Sequence, residues 1–287
     1  MDETDPFSCF GDDDDDGVSI DEIGAQKEEK KQEKPVERDP SCGILAFHPG
    51  TEQAMLKHVE NALLQYKEGI GRADFILDSI DRFCLQRHWM MHVGNEKAII
   101  IRAFVQECCS ACPPGHRLVF VELGTYCGYS SILFAKTLSQ IGYDFQIYSV
   151  EVEDENAQVA KDLIKLSGFQ DEVEVLILDL DKENLAALLR RKLESRCIDF
   201  LFIDHDKSLY LSDLKELEGS GLIKKGCFVA ADNVVFARIH DYRQYMSDLA
   251  SKRHISTRLE ESTLEYSIPD YVSDKSKKDL LKDGIGT

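Results

Sequence analysis

Positive charge is scarce in this 287-residue chain, where 34 Lys and Arg stand against 53 Asp and Glu for a formal net charge of -19. A surface of that sign repels phosphate backbones and anionic bilayers, which sets aside nucleic acid and membrane surfaces as default partners. Long apolar runs are also missing. No stretch approaches the roughly 20 residues needed to cross a bilayer, and the N-terminus opens on MDETDPF rather than on a basic and then apolar leader. The expectation is a cytoplasmic protein. No internal repeat of fixed period is visible, and the nine cysteines form an odd set, which reads as free thiols in a reducing compartment. The tight group Cys108, Cys109 and Cys112 has no second CxxC or HxxxH nearby. A structural zinc needs four ligands, so these three read as helix-end thiols.

The acids are unevenly placed. Residues 1 to 39 carry fifteen acids and five bases, a net of -10, and hold the run Asp12 to Asp16. Such a stretch buries too little apolar surface to offset its ordering entropy, so residues 1–40 are expected to be a disordered acidic tail. It serves as a solubilising leader or as a docking arm for a protein partner.

From there residues 41–287 read as one domain. Helical stripes over 51–66, 73–86 and 97–109 give way to apolar runs of strand length at 117–123, 145–151, 173–178, 198–204 and 226–232. Helical stretches at 128–140, 154–168, 182–194 and 207–219 separate them. Apolar strands alternating with helices predict an α/β fold, a mostly parallel central sheet with helices on both faces. Ligands on such sheets bind at the carboxyl ends of the strands.

Chemistry-bearing residues gather at those predicted ends. The first strand runs into VELGTYCGYSS, where Gly124 and Gly128 give a tight turn and the following helix offers free N–H groups. Glu151 ends the next strand, placed to take the two hydroxyls of a ribose. The third glycine of GxGxxG is absent, and Glu122 at the loop mouth would repel a pyrophosphate, which disfavours a nicotinamide dehydrogenase. The same acid would attract a cationic cofactor with the charge pattern of S-adenosylmethionine. Asp204 ends the fourth strand and Asp232 with Asn233 ends the fifth. Three hard oxygen donors at one edge suit Mg²⁺.

These pieces, VELGTYCGYS, WMMHVG, FIDHDK, GCFVAADNV and TLEY in that order, resemble the catechol O-methyltransferase family, small Mg²⁺-dependent class I methyltransferases, from about residue 51 to Tyr266. The resemblance implies a Rossmann-like class I methyltransferase fold and transfer of a methyl group from S-adenosylmethionine to a catechol-like substrate. It implies a cofactor site of Met91, Val93, Glu122, Gly124, Tyr126, Ser130 and Glu151, with His205 near the adenine, and metal ligands Asp204, Asp232 and Asn233. Lys207 would be the base, its own charge suppressed by the nearby cation. Glu265 would hold the second hydroxyl, and Trp89 would wall the substrate ring. The alternative is a catalytically weak relative acting as a binding or assembly protein.

The pattern departs in places. Where the family keeps a tryptophan beside cofactor and substrate this chain has Asp206, and a wall proline is replaced by Ala237. The expected substrate is therefore larger, more polar or cationic. After the third strand LDLDKEN leaves Asp179 and Asp181 as candidate adenine contacts, and the family's last antiparallel strand is expected to be missing or truncated after SIPDYVSDKSKKDLLK.

Overall fold

The computed structural model describes residues 50–67, 69, 71–235 and 237–260. The acidic tail, Glu265 and the segment expected to hold the last antiparallel strand lie outside the described residues. Among the described residues three helices come first, α1 (Thr51–Leu63), α2 (Arg72–Gln86) and α3 (Gly94–Ala111). Strands and helices then alternate: β1 (Leu118–Leu123), α4 (Tyr129–Ile141), β2 (Phe145–Glu151), α5 (Asp154–Ser167), β3 (Val173–Ile177), α6 (Leu185–Leu193) and β4 (Ile198–Ile203). A 3₁₀ turn over Lys207–Leu209 leads into α7 (Tyr210–Gly219), followed by β5 (Ile223–Ala231) and α8 (His240–Ser251).

The five strands form one sheet in the order β3-β2-β1-β4-β5, and every pairing is parallel. Parallel strands need crossover helices, and those helices bury both sheet faces. That is why β1 and β4 are apolar throughout except for Glu122 and Asp199, and why all their residues are buried. Side chains alternate between two cores. Phe120, Ile147, Phe200 and Phe202 face α1 to α5, while Val121, Tyr148, Leu201 and Ile203 face α6, α7 and α8. On the first face Phe120 and Phe200 stack with centroids 4.6 Å apart, and Phe104 meets Phe200 edge-on at 5.6 Å.

Helix α8 has no counterpart among the predicted elements. Its stripe Tyr242, Tyr245, Met246 and Leu249 has helical spacing, yet only Tyr242 is buried, with Tyr245 and Met246 partly so. It is held by packing on the α7 side of the sheet. Strand β5 begins earlier than the run from Gly226 suggests. Its register slips between the pairs Ile198 with Ile223 and Phe200 with Phe228, because the exposed residues 224–226 form an irregular insert around Gly226 at φ +97. From Phe228 onward the ladder is regular, and Ile203 lies opposite Ala231.

Phe200 is fully buried and touches aromatic rings on three elements. Phe200→Ala should lower unfolding free energy by about 3–5 kcal/mol, read from the urea midpoint at unchanged slope.

Candidate active site

The order β3-β2-β1-β4 places a switch point between β1 and β4, where crossovers leave in opposite directions and a crevice opens above the strand ends. The loop after β1 is held tightly there. Gly124 has φ +97, and a Cβ on it would lie 2.4 Å from the backbone oxygen of Asp204. Only glycine fits that crossing. Tyr126, at φ 46, donates its backbone N–H to Glu151 Oε2 at 2.7 Å and its hydroxyl to Glu52 at 2.8 Å. Glu151 Oε1 also accepts from the backbone N–H groups of Val152 and Glu153, at 2.9 and 3.1 Å. A carboxylate has about four acceptor positions, and three of those on Glu151 clamp the loop to β2.

Glu122 is completely buried. Its Oε2 accepts from the hydroxyls of Ser131 and Ser149, whereas Oε1 has no hydrogen-bond partner among the described residues. Burial raises its carboxyl to about 7, with Asp204 adding repulsion and the serine hydrogen bonds opposing. A buried acid with one oxygen left over, beside a glycine loop, suits a cationic group. A small cleft next to it is lined by Met91, Val93, Gly124, Tyr126, Ser130 and Asp204. A second cavity of about 260 Å³ lies beyond the ends of β2 and β3, among Val152, Leu178, Asp179 and Asp181. Met91 is 56% exposed, Val93 is buried beneath it, and Trp89 packs partly buried against the core.

The acids on β4 and β5 meet because of register. Asp204 and Asp232 follow the paired residues Ile203 and Ala231, so they occupy neighbouring strand ends about 4.8 Å apart in backbone spacing. Each carries an ammonium. Lys207 Nζ donates to Asp204 Oδ1 at 2.7 Å and to the Tyr210 hydroxyl at 2.8 Å, while Lys97 Nζ donates to Asp232 Oδ2 at 2.6 Å. The buried Tyr210 hydroxyl in turn donates to the Asp232 carbonyl at 3.1 Å. Asn233 is left-handed at φ 59, and its backbone N–H donates to Asp232 Oδ1 at 2.7 Å. Asp204 is raised to about 6, by burial first and by Asp232 second, against the pull of Lys207 and Lys97. Two carboxylates at adjacent strand ends with two ammonium groups drawn to them, and an asparagine next in the chain, are a donor set whose chemistry fits Mg²⁺.

Two expected residues are occupied otherwise. Asp206 caps the 3₁₀ turn, its Oδ1 accepting from Ser208 N at 2.9 Å and Oγ at 2.8 Å, and it lines neither cavity. His205 stacks on Tyr210 and shares Nε2 with Asp213 Oδ2 at 2.8 Å, while its buried Nδ1 has no partner among the described residues. Lys97 and Tyr210 are additions the sequence reading lacks. Nothing local marks Lys97, which is 135 residues from its partner.

The Glu122 carboxyl binds its proton more tightly folded than unfolded, between the ordinary 4.5 and about 7. Stability should therefore fall as pH rises through that window. Glu122→Gln should flatten this fall, measured as melting temperature against pH for the two proteins.

A family model described as O-methyltransferase matches residues 72–255. Catechol O-methyltransferase B of Danio rerio is 31% identical over 204 residues, 69% of this chain and 73% of that protein. Catechol O-methyltransferase of Mus musculus is 31% identical over 211 residues, 73% of each. Among solved structures, an S-adenosylhomocysteine-bound methyltransferase of Podospora anserina is 15% identical, with a TM-score of 0.47 over 78% of this chain and 95% of that one. With the family model spanning more than half its length and both curated relatives above 30% identity, the chain belongs to the O-methyltransferase family.

Proposed function

We propose that the protein transfers a methyl group from S-adenosylmethionine to one hydroxyl of a catechol-like aromatic diol chelated to Mg²⁺. The observation that carries this reading is the pairing of Asp204 with Asp232 across neighbouring strand ends, with Lys207 hydrogen-bonded to the first. When bound, the ion supplies positive charge that lowers the proton affinity of both diol oxygens, and the cofactor supplies a sulfonium methyl.

The chain's own groups do the remainder. Asp204, Asp232 and the Asn233 side chain present oxygen ligands to the ion. Lys207, held by the Tyr210 hydroxyl, would receive the hydroxyl proton at Nζ once its own proton has passed to solvent beside the bound cation. Glu122 would offer negative charge to the cationic amino-acid end of the cofactor, and Gly124 would let that end approach the backbone. The cavity lined by Val152, Leu178, Asp179 and Asp181 would take the adenine. Because Asp206 Oδ1 serves the turn, the substrate reading for this residue reduces to a contact with a polar or cationic substituent. Curated relatives that are themselves catechol O-methyltransferases support the diol as substrate class.

Calorimetry with the cofactor, then transfer of labelled methyl to a panel of diols with and without EDTA, tests the reading. Transfer should vanish with EDTA and return with Mg²⁺. Lys207→Met should cut kcat by about 10²–10⁴-fold while cofactor affinity holds. Metal-independent transfer, or cofactor binding with no turnover on any diol, would overturn it.

A further inference from the structure

The opposite edge of the sheet carries a second group of metal-ligating side chains. Cys112 caps the C-terminus of α3, His116 lies in the short loop before β1, and Asp199 is the second residue of β4. One ligand atom from each lies within 4.8 Å of the other two. His116 Nε2 and Asp199 Oδ2 are 2.9 Å apart, and the backbone N–H of Val119 donates to the same oxygen at 2.8 Å. Asp199 stands five residues before Asp204, so this cluster is about 16 Å along the strand from the candidate active site.

We propose that Cys112, His116 and Asp199, with Cys108 as fourth donor, form a binding site for a thiophilic divalent cation of the Zn²⁺ type. Tetrahedral zinc with bonds of about 2.0–2.3 Å holds its ligand atoms roughly 3.3–3.8 Å apart. A cluster already drawn within 4.8 Å needs only a small contraction to reach that geometry. Cys108 is one helical turn before Cys112 on the same face of α3. Its sulfur reaches the Asp199 backbone oxygen at 3.8 Å and is hydrogen-bonded with Cys112. The Val119 N–H orients the carboxylate from behind, as outer-shell donors do at zinc sites. Two sulfurs and an imidazole select zinc over magnesium, whereas the all-oxygen set at Asp204 selects the reverse.

A cation would displace the Cys108 and Cys112 protons and take the place of the His116–Asp199 hydrogen bond. The CCSACPPGH segment holds three of the four ligands; the fourth comes from a strand 83 residues beyond His116.

Titration of the full chain with Co²⁺ in excess Mg²⁺ tests this, with thiolate-to-cobalt charge-transfer absorption as the readout. One equivalent should develop the band, and Zn²⁺ should bleach it. Cys112→Ala and His116→Ala should each weaken cobalt binding at least about 10-fold, while Asp204→Asn leaves the band intact and Cys112→Ala leaves methyl transfer intact. Far-ultraviolet circular dichroism checks that each variant is folded. The inference is overturned if wild-type protein gives no thiolate band, or if the band persists in folded Cys112→Ala and His116→Ala.

Discussion

Two carboxylates held at adjacent strand ends are the constraint around which the upper edge of this molecule is arranged. Neighbouring parallel strands lie about 4.8 Å apart, and two full charges at that spacing repel by about 3 kcal/mol at an effective dielectric near 20. The chain offsets this with ammonium groups from two further elements, Lys97 in the first turn of α3 and Lys207 in the turn after β4. The Tyr210 hydroxyl accepts from Lys207 and donates to the Asp232 carbonyl. Four elements are thereby tied to a single electrostatic problem. A divalent cation answers the same problem, which is why the arrangement suits metal-assisted chemistry on an oxygen nucleophile.

The glycine loop is part of the same unit. Gly124 presses against the Asp204 backbone so closely that a methyl group would overlap it, so any shift of the loop moves the edge that carries the two acids. Glu151 holds the other side of the loop by accepting the Tyr126 N–H. Under the proposed function the loop and the acidic edge would be positioned together, and alignment of that kind is the main contribution a protein makes to a direct displacement.

Most of the architecture was legible because a parallel sheet buried on both faces must be written in apolar runs. The runs at 145–151 and 198–204 coincide with β2 and β4 to within one residue. Helix α8 was missed although its stripe Tyr242, Tyr245, Met246 and Leu249 is written at helical spacing; it is short and mostly polar, and it follows β5 with no further strand among the described residues to frame it. At the site, Glu122, Gly124, Asp204 and Asp232 were legible from type and place: an acid inside or ending an apolar strand has few structural uses. Asp206 carries a second, local role that its type also predicts. An Asp two residues before Ser208 is also a good turn cap, and the local hydrogen bonds took its Oδ1.

By itself the sequence determined the α/β alternation, the glycine turn and the set of acids at the strand ends, because each is encoded by residues close along the chain. Tertiary structure alone decided which charges answer those acids. Lys97 meets Asp232 across 135 residues and His116 meets Asp199 across 83. It also decided that the register slip around Gly226 brings Asp232 level with Asp204. Partnerships of that kind follow from strand order and helix placement, and no local pattern of residue types records them.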